Sequence, residues 1–148
     1  MIASVFVDTN VLLYARDTSE KTKHPLATHW LDALWDQHRG RLSYQVLNEY
    51  YVTVTRKLRP GLSREAAQAD VRDLMTWRPA GVDEALLEDA WWLEQRFGLS
   101  YWDAQIVAAA RAAGCRHLLT EDLQHGQDLD GVVVVDPFVT RPEELPPE

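Results

Sequence analysis

Short apolar segments, separated by longer stretches with helical spacing, constrain the fold of this chain more than any other feature of its sequence. The segments are residues 2–7, a weaker one at 41–43, then 117–120 and 132–135. They are continuous rather than alternating, which is typical of strands in a parallel sheet that is covered on both faces. The pattern therefore predicts an α/β fold, a three-layer sandwich with a short, mostly parallel sheet flanked by helices.

The stretches between the strands carry the start and stop signals of helices. Ser63, Asp83 and Ser100 are suitable N-cap residues, and Gly98 and Gly114 are suitable C-terminal stops. We expect helices over residues 25–37, 63–77, 84–97 and 100–113. The segment 44–58 is ambiguous, because its Tyr, Val and Thr content favours a strand while its length and apolar spacing favour a helix. We predict a helix there.

Length and composition indicate one domain. The chain has 148 residues and one cysteine, Cys115, so it cannot form an internal disulfide. We divide it into a domain over residues 1–138 and a proline-rich acidic tail over 139–148. We expect a cytoplasmic protein with no membrane partner, because no charged leader and no membrane-length apolar segment is visible. A net charge of −8 argues against a nucleic-acid binder unless cations neutralise some of the acids.

Four acids stand out by their positions. Asp8 directly follows the first predicted strand, and Asp122 closely follows the third. The carboxyl ends of parallel strands meet at one edge of a sheet, so we expect these two residues to lie together. Glu49 and Asp103 lie on predicted helices beside apolar residues. Each acid alone could be a helix cap or a solvated residue, but four together predict a bound cation that supplies the missing positive charge.

Four motifs contain these acids in a fixed order: DTNVLLY at 8–14, QVLNE at 45–49, SYWDA at 100–104 and TEDLQHG at 120–126. In this respect the chain resembles PIN-domain ribonucleases, and specifically VapC-type toxins of toxin–antitoxin pairs, over residues 2 to about 138. The resemblance implies a metal-dependent endoribonuclease, with RNA as substrate and a cognate antitoxin protein as partner. It also implies a homodimer, and an antitoxin arginine or lysine that enters the acid cluster.

The resemblance further implies roles for individual residues. The catalytic and metal-binding acids would be Asp8, Glu49, Asp103 and Asp122, with Asn10 and Thr120 in support. All-oxygen ligands favour Mg²⁺ or Mn²⁺ over zinc, and two carboxylates about 4 Å apart repel by roughly 4 kcal/mol at an effective dielectric near 20. The metal would activate water and stabilise the leaving oxygen, and one ion or two are both open.

Phosphate contacts would come from the few basic residues. The candidates are Arg56, Lys57 and Arg59, with Arg39 and Arg41 as further ones. A solvated helix end explains the same cluster equally well. With so few bases, we expect modest, salt-sensitive RNA affinity.

Two other functions fit parts of the sequence. A haloacid-dehalogenase-like phosphatase would use Asp8 as its nucleophile, but that family needs Asp-x-Asp and the second position here is Asn10. A non-catalytic α/β binding module is the other alternative, because fold alone does not settle function.

Overall fold

A computed structural model describes residues 3–145 and contains a four-stranded parallel sheet in that part of the chain. The strands are β1 Val5–Val7, β2 Gly40–Arg41, β3 His117–Leu119 and β4 Val133–Val135. Their order is β2-β1-β3-β4, and all three pairings are parallel. The predicted parallel sheet is confirmed. The residues that directly follow β1 and β3 lie at its carboxyl edge.

Six α-helices flank this sheet among the described residues, as an α/β sandwich requires. They are α1 Thr9–Arg16, α2 Lys23–Asp36, α3 Tyr44–Arg56, α4 Arg64–Leu74, α5 Glu84–Phe97 and α6 Tyr101–Ala112. Helix α1 packs against α2 and α3, α3 packs against α4, and α5 packs against α6. Short 3₁₀ turns follow at Met75–Trp77 and Pro142–Glu144.

The helix ends follow the sequence signals closely. Ser63, Asp83 and Ser100 each accept a hydrogen bond from a backbone N–H in the first turn of their helix, and Gly98 ends α5 with a φ of 67°. The ambiguous segment 44–58 is helical over Tyr44–Arg56, as predicted. Tertiary packing decides this against strand propensity, because Val46, Leu47, Tyr50 and Val54 are all buried.

The strands are shorter than the apolar segments that predicted them. The first begins at Val5, while Ile2 lies outside the described residues, and the second is shifted from 41–43 to Gly40–Arg41. Gly40 pairs with Val5, and a Cβ at this glycine would lie 2.6 Å from the indole of Trp77. The second strand therefore starts at a residue whose missing side chain makes room for an aromatic ring.

Residues after β4 return to pack on helix α2. The buried Trp30 donates through Nε1 to the carbonyls of Pro137 at 3.0 Å and Thr140 at 2.9 Å, and Pro142 is buried. Residues 146–148 lie outside the described part, and the division of the chain at residue 138 stays a prediction. None of the helices between residues 3 and 145 combines the length and the apolarity needed to cross a bilayer.

Candidate active site

Asp8 lies at the carboxyl edge of the sheet, between β1 and α1. Its backbone N–H donates to the carbonyl of Leu119 at 3.0 Å, which continues the β1–β3 pairing by one step. Its side chain is the N-cap of α1, with Oδ1 accepting from the backbone N–H of Thr9 at 2.7 Å. The capping explanation of Asp8 is therefore correct, and the same geometry delivers its other oxygen to a neighbouring strand end.

That second oxygen meets residues from the opposite end of the sequence. Oδ2 of Asp8 accepts from the hydroxyl of Thr120 at 2.9 Å and lies 3.4 Å from Nδ2 of Asn10. Asp8 is only 6 % exposed, and this burial raises its pKa from 3.8 to about 6. The hydrogen bonds from Thr9 and Thr120 oppose the rise, whereas the negative charges of Asp122 and Glu49 add to it.

Asn10 connects the first acid to the last. Its Nδ2 donates to the hydroxyl oxygen of Thr120 at 2.9 Å and to Oδ2 of Asp122 at 3.1 Å. The same hydroxyl oxygen accepts from the backbone N–H of Asp122 at 3.1 Å. Thr120 is fully buried, so its one hydroxyl joins both acids and the amide with no access to solvent.

Glu49 reaches this edge from helix α3. Its Oε2 accepts from the hydroxyl of Thr9 at 2.7 Å, and its Oε1 accepts from Nε2 of Gln45 at 3.0 Å. Sequence reasoning did not identify Thr9 or Gln45 as part of the site. The available signals were the place of Thr9 inside the first motif and the spacing of Gln45, one helical turn before Glu49.

Asp103 lies in the first turn of α6, where its backbone N–H donates to Oγ of Ser100 at 3.1 Å. Its partial burial raises its pKa, a hydrogen bond from Ser100 lowers it, and the charges of Asp122 and Glu49 raise it. Asp8 is subject to the same two charges. Asp122 and Glu49 thus lie within electrostatic reach of both Asp8 and Asp103.

This cluster suits a hard divalent cation in charge and in donor type. Its ligand atoms are carboxylate, amide and hydroxyl oxygens, and the charges of Asp122 and Glu49 add to the raised pKa of Asp8 and of Asp103. Between residues 3 and 145, however, no three His, Cys, Asp or Glu side chains already lie in a metal-binding arrangement. Glu49 and Asp122 instead accept hydrogen bonds from the neutral donors Thr9 and Asn10.

The predicted RNA contacts occupy different parts of the molecule. Arg39 is only 5 % exposed and donates through Nε to the carbonyl of Ala3 at 2.7 Å, beside the amino end of β1. Its burial at the far end of the strand leaves it unavailable to RNA at the acid cluster, so we do not retain it as a candidate. Arg41 is half-buried on β2 and donates to its own neighbour, the carbonyl of Gly40, at 2.7 Å.

The other three bases lie at the carboxyl end of helix α3. Arg56, Lys57 and Arg59 are exposed. Seven residues separate Glu49 from Arg56, which places the start of this group about 10 Å further along the helix axis. The distance is compatible with contacts to phosphates a few nucleotides from the acids.

Comparisons with known proteins agree with this architecture. A model of the PIN domain matches residues 5–127. The structure is similar to a toxin–antitoxin complex from Klebsiella pneumoniae, with 22 % identity, a TM-score of 0.64, and coverage of 90 % of this chain and 98 % of the other. It is also similar to Mycobacterium tuberculosis VapC20, a Sarcin-Ricin loop cleaving toxin, with 28 % identity, a TM-score of 0.59, and coverage of 78 % and 87 %.

A further similar structure is VapBC2 from Rickettsia felis bound to a DNA fragment from its promoter. It has 15 % identity and a TM-score of 0.55, with coverage of 88 % of this chain and 96 % of the other. No curated protein matches the chain. The PIN-domain match covers most of the sequence and includes all four acids, and the structural similarities cover the same core. The chain therefore belongs to the PIN-domain family.

Proposed function

We propose that this protein is the ribonuclease toxin of a toxin–antitoxin pair and that it hydrolyses RNA phosphodiester bonds with Mg²⁺ or Mn²⁺. The main support for the proposal is the position of Asp8, which is buried at the carboxyl edge of the sheet. The charges of Glu49 and Asp122 add to the rise in its pKa that burial causes. Membership of the PIN-domain family and similarity to a Sarcin-Ricin loop cleaving toxin support it.

The four acids would hold the metal, with Asp8 and Asp103 as direct ligands and Glu49 and Asp122 binding directly or through water. A bound divalent ion supplies two things to hydrolysis: it lowers the pKa of an attacking water and it neutralises charge on the leaving oxygen. Glu49 would exchange a neutral hydrogen-bond partner for the ion, and Asp122 would offer it the oxygen that Asn10 does not hold. These partners hold both carboxylates at the edge of the site beforehand.

The remaining residues of the site orient the acids. The backbone of Thr9 and the hydroxyl of Thr120 fix the two oxygens of Asp8, so its carboxylate has one orientation. Asn10 holds one oxygen of the Asp122 carboxylate. Hydrogen bonds of this kind around metal ligands commonly set affinity and activity, because a ligand that is already oriented loses less entropy on binding.

Partners follow from the charge of the site and from the similar structures. One of them is a toxin–antitoxin complex, and another is VapBC2 bound to a DNA fragment from its promoter. A basic antitoxin side chain would be attracted to the same acids that attract a cation, and its binding there would block catalysis. A homodimer is part of the proposal, and exposed bases such as Arg56 and Lys57 would contact RNA phosphates.

The phosphatase alternative is less well supported. Its second catalytic aspartate would occupy the position of Asn10, whose amide instead donates to Asp122 and Thr120. The PIN-domain match over residues 5–127 also favours a nuclease over a haloacid-dehalogenase-like enzyme.

The decisive experiment maps RNA ends after brief expression of the wild type and of Asp8→Asn. We expect new 5′-phosphate ends with the wild type and none with the variant. Asp83→Asn is the matched control, since Asp83 also caps a helix through its carboxylate but belongs to α5. Purified wild type should lose cleavage in EDTA and regain it with Mn²⁺. Equal cutting by the wild type and Asp8→Asn would refute the proposal, and a phosphoryl group trapped on Asp8 would favour the phosphatase.

A further inference from the structure

Glu121 lies between two residues of the candidate site, Thr120 and Asp122, but its side chain turns away toward helices α1 and α2. Its Oε1 accepts from the hydroxyl of Tyr14 at 2.5 Å, and its Oε2 pairs with Nζ of Lys23 at 2.7 Å. The side chains of Glu121 and Lys23 are 21 % and 37 % exposed. The pair is therefore partly shielded from solvent, and it connects parts of the chain that are 98 positions apart.

Aromatic rings hold the lysine of this pair. Nζ of Lys23 lies 4.9 Å from the ring centroid of Tyr14 and 5.1 Å from that of Phe138, and the two rings meet edge to face at 5.2 Å. Cation–π contacts and a hydrogen-bonded carboxylate together restrict an ammonium group far more than a lone surface ion pair does. We refer to Tyr14, Lys23, Glu121 and Phe138 as the clamp.

Helix α1 contacts residues 120–122 through two of its side chains. Asn10 and Tyr14 are four residues apart and so lie on one face of the helix. Asn10 binds Thr120 and Asp122 through Nδ2, and Tyr14 binds the residue between them. The chain bends at residues 121–123, so that Glu121 faces Tyr14 and Lys23 while Thr120 and Asp122 face Asn10.

We propose that Tyr14, Lys23 and Glu121 are positioning residues that hold the Thr120–Asp122 segment in register with Asp8 and thereby set the affinity of the site for a divalent cation. The inference rests on the proposed function for the identity of the ligand. The three residues do not touch the reacting atoms. They act through Asp122, whose backbone N–H and carboxylate they keep beside Thr120 and Asn10.

The test compares Lys23→Gln and Glu121→Gln with Arg111→Gln. Arg111 is a matched control: it pairs with Asp89 at 2.8 Å and Asp130 at 2.7 Å, it is 29 % exposed, and it also joins three parts of the chain. It lies eight residues after Asp103 on α6, about 12 Å along the helix. Loss of the Lys23–Glu121 pair and loss of the two Arg111 pairs should lower the free energy of unfolding by similar small amounts.

The readouts are Mn²⁺ affinity by calorimetry without RNA, amide hydrogen exchange at residues 121 and 122, and RNA cleavage as a function of Mg²⁺. We expect both clamp variants to bind Mn²⁺ about 10-fold more weakly, as is usual when groups that orient metal ligands are removed. Exchange at the two amides should become faster, and kcat should fall more than KM rises. Lys23→Arg should restore most of the affinity, and Arg111→Gln should bind Mn²⁺ like the wild type.

Two results would overturn the inference: clamp variants with unchanged Mn²⁺ affinity, and Arg111→Gln weakened as much as they are. The failure of the proposed function is distinguishable from these results. If the wild type binds Mn²⁺ and the clamp variants bind it less well, the positioning role stands even for a protein that cleaves no RNA.

Discussion

The hydroxyl of Thr120 donates to the carboxylate of Asp8 at 2.9 Å, although 112 positions separate the two residues in the chain. The parallel pairing of β1 with β3 makes this contact possible, since Val7 lies opposite Leu119 and each strand is followed directly by one member of the pair. The fold thus places a buried donor against a buried acceptor, in surroundings where either group would be unfavourable alone.

Thr120→Val should distinguish the effect of this hydrogen bond from the effect of side-chain volume. Valine keeps the volume but removes the donor to Asp8 and the acceptor for Asn10 and for the backbone of Asp122. We expect cleavage to fall about 10- to 100-fold, with a loss of stability of about 1–3 kcal/mol. Rates of cleavage and denaturant unfolding measure the two effects.

Thr120→Ser is the matched variant, because it keeps the hydroxyl and loses a methyl group. It should retain cleavage within a few-fold of the wild type. If the serine and valine variants were equally impaired, the methyl packing rather than the hydrogen bond would be responsible.

The basic cluster after helix α3 gives a prediction about salt. Replacing Arg56, Lys57 and Arg59 by glutamine should weaken RNA binding and reduce the slope of log affinity against log salt by about 2, given about 0.7 per phosphate contact on a single strand. Binding is best measured in Asp8→Asn, which we expect to prevent cleavage. Arg96→Gln on α5 is the control, and a slope unchanged by the triple substitution would exclude the cluster as an RNA contact.

Local signals predicted most of the helices and their capping residues. Ser63 and Ser100 cap their helices as expected, because capping depends on a side chain and on backbone groups within one turn. The sequence also indicated that Asp8 could cap a helix, because its capping contact is with the next residue, Thr9. Its role beside Thr120 followed from the predicted sheet, since parallel strands bring their carboxyl ends together.

Contacts between distant segments were not predictable in this way. The burial of Arg39 depends on the carbonyl of Ala3, which only the β1–β2 pairing brings near. The ion pair of Lys23 with Glu121 likewise has no signature in either local sequence. Strand ends were the least certain, because strands of two or three residues are too short for a periodic pattern to define.

Gly40→Ala should destabilise the protein without changing the chemistry of the site. The added Cβ would lie 2.6 Å from the indole of Trp77, a buried ring with little room to move. We expect a loss of about 1–3 kcal/mol in the free energy of unfolding, the usual effect of overpacking. Gly81→Ala is the control, since a Cβ there has no neighbour within 4 Å. Equal stability of the two variants would contradict the close packing of Trp77 against Gly40.

The raised pKa of Asp8 predicts that the site lowers the stability of the metal-free protein. Well below pH 3.8 the residue is protonated in the folded and unfolded states and contributes nothing. As pH rises from about 4 to 6, the unfolded chain ionises while the folded protein keeps its proton, so stability falls. A shift from 3.8 to about 6 corresponds to about 3 kcal/mol at 1.36 kcal/mol per pKa unit, present in full above pH 6.

Asp8→Asn should therefore stabilise the protein in EDTA at pH 8 while abolishing cleavage. Asparagine is an equally good N-cap but loses one acceptor, so we expect a gain of about 1–2 kcal/mol, which disappears near pH 4. Thermal unfolding of the variant and the wild type across this pH range measures the gain. Mn²⁺ should then stabilise the wild type more than the variant, because ligand binding to the folded state adds stability. A variant less stable than the wild type at pH 8 in EDTA would show that Asp8 is ionised at no cost to the fold.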